Sequence, residues 1–90
     1  MSADESSSRE LDRIEQRVLE FVRGELVGPG VVVGPEDDLL SDLLDSVAAL
    51  RLATFVAEEF EIEIQPTDYV IENFLTVRAI GEFVGRVRAR

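Results

Sequence analysis

The stretch Leu43-Leu44-Asp45-Ser46-Val47-Ala48-Ala49-Leu50 decides how the chain is organised, because an acidic, aperiodic segment ends there and an apolar-periodic segment begins. We predict that a helix starts at Ser46, since serine is a favourable N-cap whose hydroxyl accepts a hydrogen bond from a first-turn N–H. Apolar residues then recur at helical intervals as far as Phe60. We interpret Val47 and Leu50 as core residues of this second helix.

An amphipathic first helix is predicted upstream of this stretch. Ser7 and Glu10 fit the S-x-x-E capping box that marks a helix start. Apolar residues follow in steps of three and four, at Leu11, Ile14, Val18, Phe21, Val22 and Leu26. The Gly28-Pro29-Gly30 segment ends the helix. Residues 1–7 are small, polar and acidic, so we expect a flexible N-terminal tail there and one folded domain over residues 8–90.

The segment between these helices, residues 31–45, shows no helical or strand period. It alternates leucines (Leu39, Leu40, Leu43 and Leu44) with aspartates (Asp37, Asp38, Asp42 and Asp45). Four leucines exposed to water would be costly, so we expect a long loop held against the core. The aspartates lack the order and the closing glutamate of a calcium-binding loop, and no metal site is predicted.

Two further helices are predicted after Phe60. Pro66-Thr67-Asp68 indicates a short third helix with Thr67 as its N-cap. Thr76 is the predicted cap of the last helix, whose buried stripe comprises Val77, Ile80, Phe83 or Val84, and Val87. The sequence therefore predicts an all-α fold: a small four-helix bundle of three longer helices and one short third helix, with a long loop between helices 1 and 2.

Composition and charge restrict the classes of partner and the location that we expect for the protein. The 90 residues are 46% hydrophobic and 31% charged, as in a folded domain. Nineteen acidic residues against nine basic ones give a formal charge of −10, which disfavours nucleic acid and anionic membranes and favours basic patches on partner proteins. No signal-peptide pattern or membrane-length apolar run is present, so we expect a cytoplasmic protein. We also expect it to be a monomer.

The absence of two residue types limits the chemistry further. The chain contains neither cysteine nor histidine, which excludes Ser-His-Asp and Cys-His catalytic groups and thiolate metal sites. A pair of carboxylates such as Asp42 and Asp45 remains as an acid–base alternative, but so small a domain offers little room for a closed pocket. We therefore expect a protein that is not an enzyme.

Three segments together resemble one family. Leu43-Leu44-Asp45-Ser46-Val47, Phe60-Glu61-Ile62-Glu63-Ile64 and Glu72-Asn73-Phe74-Leu75-Thr76-Val77-Arg78-Ala79-Ile80 look like the second to fourth helices of acyl and peptidyl carrier proteins. The similarity covers about residues 11–87. The first segment is short and weakly specific alone; combined with the other two and the helix order, it is specific.

This resemblance implies that a phosphopantetheinyl transferase moves 4′-phosphopantetheine from coenzyme A onto Ser46. The thiol of that arm would then carry an acyl or aminoacyl group as a thioester. Asp45 matches the acidic residue before the family's serine, which implies a role in presenting Ser46 to the transferase; a simple loop acid is the alternative. Contacts with the arm or with partners are expected from Leu44, Val47, Leu50, Arg51, Ile64 and Tyr69. For several of these residues, packing in the core is the competing interpretation.

Departures from the family pattern indicate the subtype. Fatty acid synthase carriers have acids after the serine, whereas this chain has Ala48, Ala49 and Arg51. We expect a discrete carrier of a specialised pathway, such as polyketide or nonribosomal peptide biosynthesis, with an acyl- or aminoacyl-loading enzyme and downstream synthase or tailoring enzymes as partners. A start at methionine and an end soon after helix four favour a discrete protein. An unmodified acidic helical adaptor that docks a basic protein is the alternative.

Overall fold

The computed structural model describes residues 3–28 and 30–89, and among these all side chains except those of residues 3–8 and of Asp42. The described chain is all-α, and no strand occurs in it. Its four α-helices are α1 (Ala3–Phe21), α2 (Ser46–Glu59), α3 (Ile71–Phe74) and α4 (Val77–Ala89). Three short helical turns complete it: wide π-type turns at Val22–Leu26 and Leu39–Leu43, and a 3₁₀ turn at Pro66–Asp68.

Helix α1 begins earlier than the sequence predicted. It is continuous from Ala3, so the predicted start at Ser7 is wrong, and Ser7 and Glu10 lie inside the helix instead of capping it. The tail expected over residues 1–7 is therefore helical from Ala3, while Met1 and Ser2 lie outside the described residues. No glycine or proline occurs between residues 3 and 21, so nothing in the sequence stops the helix from extending towards the N-terminus.

Helices α1 and α4 pack antiparallel. Glu10 pairs with Arg88 at 3.0 Å between Oε1 and Nη1, and Glu15 lies 3.6 Å from Arg78. Gly81 permits a close approach, because a Cβ there would lie 3.2 Å from Cγ of Glu15. Both helices contribute buried side chains to the core: Ile14 and Val18 from α1, and Val77, Ile80, Phe83 and Val84 from α4. The predicted stripe of α4 is confirmed for Val77, Ile80 and both Phe83 and Val84, while Val87 is only partly buried against the core.

Helix α2 also runs antiparallel to α1. Arg17 pairs with Glu59 at 2.7 Å, and the rings of Phe21 and Phe55 stack with centroids 4.0 Å apart. Because the helices are antiparallel, α2 begins at the end of the molecule where α1 terminates. The start of α2 is therefore remote from Glu59.

The buried face of α2 differs from the prediction. Leu52, Ala53 and Val56 are buried, whereas Val47 is 68% exposed and Leu50 is 64% exposed. At 3.6 residues per turn, positions 47 and 50 are turned away from Leu52 and Val56. The interpretation of Val47 and Leu50 as core residues is therefore wrong.

The third helical region begins at a different cap from the one predicted. The N–H of Gln65 donates to Oδ2 of Asp68 at 2.9 Å, and the N–H of Asp68 donates to the carbonyl of Gln65 at 2.8 Å. Gln65 is thus the N-cap, Pro66 takes the first position that suits proline, and Thr67 as N-cap is wrong. Thr76, by contrast, caps α4 as predicted, since its Oγ1 accepts the N–H of Ala79 at 3.0 Å.

The long loop before α2 is held against the core, as predicted. Val33 and Leu39 are fully buried. The N–H of Leu39 donates to the carbonyl of Leu75 at 2.7 Å, and Nη2 of Arg23 donates to the carbonyl of Val33 at 2.6 Å. These bonds attach both halves of the loop to neighbouring elements.

The Leu39–Leu43 turn within this loop was not predicted. Oδ1 of Asp38 accepts the N–H groups of Leu40 and Ser41, each at 3.0 Å, and Oδ2 accepts the Ser41 hydroxyl at 2.8 Å. The hydrogen bonds from Ser41 hold the pKa of Asp38 below its ordinary value, because they favour the ionised carboxylate. Asp38 thus initiates the turn that leads to α2.

Within the described residues, no helix combines the length and the apolar character needed to cross a membrane.

Candidate functional site

Asp45, and not Ser46, is the N-cap of α2. The Asp45 backbone is extended, with φ −84° and ψ −178°, and its Oδ1 accepts the N–H of Ala48 at 2.8 Å. Its carbonyl accepts the N–H of Ala49 at 2.9 Å. Aspartate and serine are similarly good N-caps. Asp45, whose backbone is still extended, takes the role in place of Ser46. The prediction of Ser46 as the cap is therefore wrong, and the fold does not require the Ser46 hydroxyl.

Ser46 is instead the first residue of the helix, with an exposed side chain. The N–H groups of Ser46 and Val47 have no i−4 partner inside the helix, and they make no hydrogen bond to any group that the structure describes. The α2 dipole adds about half a positive charge at this end. An exposed hydroxyl thus lies beside two free donors in a setting that favours an anion.

An apolar groove of about 290 Å³ opens directly beside Ser46. One wall is a face of α2, formed by Ser46, Ala49, Leu50 and Ala53. These positions follow the i, i+3, i+4, i+7 spacing of a single helix face. Because Ala49 and Ala53 carry only a methyl group, the groove remains open along this wall.

The opposite wall of the groove consists of Tyr69, Val70 and Ile71, together with Phe74. The Tyr69 and Phe74 rings are near parallel, with centroids 6.2 Å apart and an interplanar angle of 18°. Ile71 is 66% exposed although it is a large aliphatic side chain. The groove therefore continues into an exposed apolar rim, which is a common property of a surface that contacts another molecule.

The structure brings together only some of the predicted site residues. Ser46, Leu50 and Tyr69 share the groove. Of the others, Leu44 is buried in the core, Ile64 is half-buried against it, Val47 is exposed outside the groove, and Arg51 lines a neighbouring groove.

Sequence reasoning missed Ala49, Val70 and Ile71 as parts of this groove. One signal was available: Tyr69-Val70-Ile71 is a run of three large apolar residues in a segment too short to bury them all. Such a run outside a strand or a long helix indicates a surface with a partner or ligand.

Ionisable side chains are scarce among the residues that line the groove. Tyr69 is the one ionisable side chain among the lining residues. No cluster of three or more potential metal ligands occurs among the described residues. The acid–base alternative paired Asp42 with Asp45, and the Asp42 side chain lies outside the described set.

Replacing Asp45 with alanine is expected to lower the free energy of unfolding by about 0.5–2 kcal/mol, because the Ala48 N–H loses its acceptor. Asp45→Asn should retain most of the stability, since asparagine caps comparably. Urea unfolding followed by circular dichroism measures both variants, and amide exchange at Ala48 reports the cap directly. Equal losses for Asp45→Asn and Asp45→Ala would contradict a capping role.

Neither a scan against protein-family models nor a search of curated proteins finds a match to this chain.

Proposed function

We propose that this chain is a discrete carrier protein, modified on Ser46 with 4′-phosphopantetheine, that holds an acyl or aminoacyl group as a thioester. One observation carries the proposal: Ser46 presents an exposed hydroxyl on the first turn of α2, beside free N–H donors and an apolar groove, with the capping role taken by Asp45. The proposal includes a four-helix bundle in which α1, α2 and α4 are the longer helices and α3 is the short one.

The residues of the site fit the phosphodiester of such an arm. The N–H groups of Ser46 and Val47 would donate to its anionic oxygens, as helix N-termini do for phosphate groups. Asp45 holds the first turn of α2, to which Ser46 belongs, in place by accepting the Ala48 N–H. When bound, the arm supplies a thiol, which a chain without cysteine otherwise lacks.

In this proposal the chain itself does not activate the serine, because none of the side chains that the structure describes is hydrogen-bonded to the Ser46 hydroxyl. No histidine is present, and the Asp45 carboxylate already accepts the Ala48 N–H. The base that removes the Ser46 proton would therefore belong to the transferase. A base supplied by the transferase supports the role of this chain as a substrate for partner enzymes. These partners are a phosphopantetheinyl transferase, a loading enzyme, and the synthase or tailoring enzymes of a specialised cytoplasmic pathway.

Incubation with coenzyme A and a broad-specificity phosphopantetheinyl transferase is expected to add one phosphopantetheine group to the chain. Intact mass would show the addition, and peptide mapping would place it on the peptide that contains Ser46. Because the chain has no cysteine, a thiol reagent should detect no thiol before the reaction and one thiol per chain after it.

The carrier proposal would be rejected if a helical, folded sample gained no mass with this transferase or with one from its own source. A basic protein partner that binds such an unmodified chain would then favour the adaptor alternative.

A further inference from the structure

A second groove, between α1 and α2, lies next to the one at Ser46 and does not include Ser46. Its volume is about 390 Å³, and its lining comprises Phe21, Leu50, Arg51, Thr54, Phe55 and Glu58. The stacked rings of Phe21 and Phe55 lie 4.0 Å apart with an interplanar angle of 6°, and both residues are half-buried. Together with the largely exposed Leu50, they give the groove an apolar surface. We refer to it as the α1–α2 groove.

Opposite charges mark the two ends of the α1–α2 groove. Arg51 is the single charged residue of α2 between Ser46 and Ala57, and Glu58 follows seven residues later. Seven residues are about two helical turns, or roughly 10 Å along the helix axis. Both side chains are exposed, and neither forms an ion pair with a residue that the structure describes. The nearby Glu59, in contrast, is already paired with Arg17.

We propose that the α1–α2 groove docks a helical segment of a partner protein that carries an apolar side chain between an acidic and a basic one. The apolar side chain covers the Phe21–Phe55 pair, the acid faces Arg51 and the base faces Glu58. A uniformly basic segment, which the formal charge of −10 would otherwise attract, is repelled at Arg51. This docking does not depend on modification of Ser46.

Three synthetic helical peptides of equal length test the charge pattern. Each carries leucine between two charged residues seven positions apart, and the charged pairs are Glu/Lys, Lys/Lys and Glu/Glu. Titration into the ¹⁵N-labelled, unmodified chain should give about three- to tenfold tighter binding of the Glu/Lys peptide, the range expected from one or two exposed ion pairs. The amide shifts should concentrate at Phe21, Phe55 and Glu58.

Charge variants of the chain then test whether Arg51 causes the preference for the Glu/Lys peptide. Arg51→Glu is expected to shift the preference to the Lys/Lys peptide, because both ends of the groove become negative. Arg13→Glu is the matched control: it changes the net charge equally at an exposed position of α1 outside the groove, and should leave the Glu/Lys peptide preferred.

The proposal is overturned if Arg51→Glu keeps the original order of affinities, or if no peptide shifts any groove residue. Shifts centred on Ala49, Tyr69 and Ile71 would also overturn it, since those residues line the groove at Ser46 instead. None of these results depends on whether Ser46 accepts phosphopantetheine, so the two proposals fail independently.

Discussion

Ser46→Ala is expected to abolish attachment of phosphopantetheine completely and to leave the fold intact. The attachment needs the Ser46 oxygen, whereas the cap of α2 needs the Asp45 carboxylate. The free energy of unfolding should therefore change by no more than about 0.5 kcal/mol, as for an ordinary surface substitution. Intact mass and thiol titration after incubation with coenzyme A and transferase measure the loss, and urea unfolding measures the stability.

Ser41→Ala provides the matched control for this experiment. Ser41 is exposed and lies in the same segment before α2, where its hydroxyl donates to Asp38. We expect this variant to accept one phosphopantetheine, as the unaltered chain does. If Ser46→Ala were still modified, or if Ser41→Ala were not, the site would have been assigned to the wrong serine.

Burial of the last helix and of the long loop could be predicted from the sequence, because hydrophobicity alone decides it there. Val77, Ile80 and Val84 follow a helical period with polar residues between them, so one face must be buried. The loop leucines have no period, but the cost of exposing them is large enough to predict contact with the core. Leu39 and Leu44 are accordingly buried.

The face of α2 could not be predicted in the same way. Apolar residues occupy nearly all sides of this helix between Val47 and Ala57, so its periodicity does not distinguish the buried side from the exposed one. Tertiary packing makes that choice, and its contacts include the antiparallel one with α1, through Phe21 against Phe55 and Arg17 against Glu59. The two grooves beside α2 follow from this choice and were therefore not visible in the sequence.

The cap of α2 was mispredicted for a related reason. Asp45 and Ser46 are adjacent residues of similar capping strength, and local sequence gives no preference between them. The Asp45 backbone is still extended and the helix begins at Ser46, so Asp45 becomes the cap. This displacement of the cap matters for the proposed modification, because it leaves the hydroxyl of Ser46 unused by the fold.

Leu39→Ala is expected to have the largest effect on stability, lowering the free energy of unfolding by about 2–5 kcal/mol. Leu39 is fully buried, so the substitution removes core contacts and leaves a cavity under the loop. A chain of this length has a total stability of about 5–13 kcal/mol, so the loss is a large share of it. Urea unfolding followed by circular dichroism measures the change. Faster amide exchange at Leu44, whose N–H donates to the Leu39 carbonyl at 2.8 Å, would show that the turn before Asp45 loosens.

Val32→Ala is the control that tests whether the loss of stability in Leu39→Ala comes from the burial of Leu39 or from truncation of any side chain in the loop. Val32 lies in the same loop but is 86% exposed, so its truncation should change the free energy of unfolding by no more than about 0.5 kcal/mol. Equal losses for Val32→Ala and Leu39→Ala would mean that the loop is not held to the core through Leu39. We expect Leu39→Ala alone to lose stability, and the modification of Ser46 can be measured under conditions where both variants are folded. If Ser46 is then modified more slowly in Leu39→Ala, the contact of Leu39 with the core also positions the start of α2. The loop would then serve the site as well as the stability of the domain.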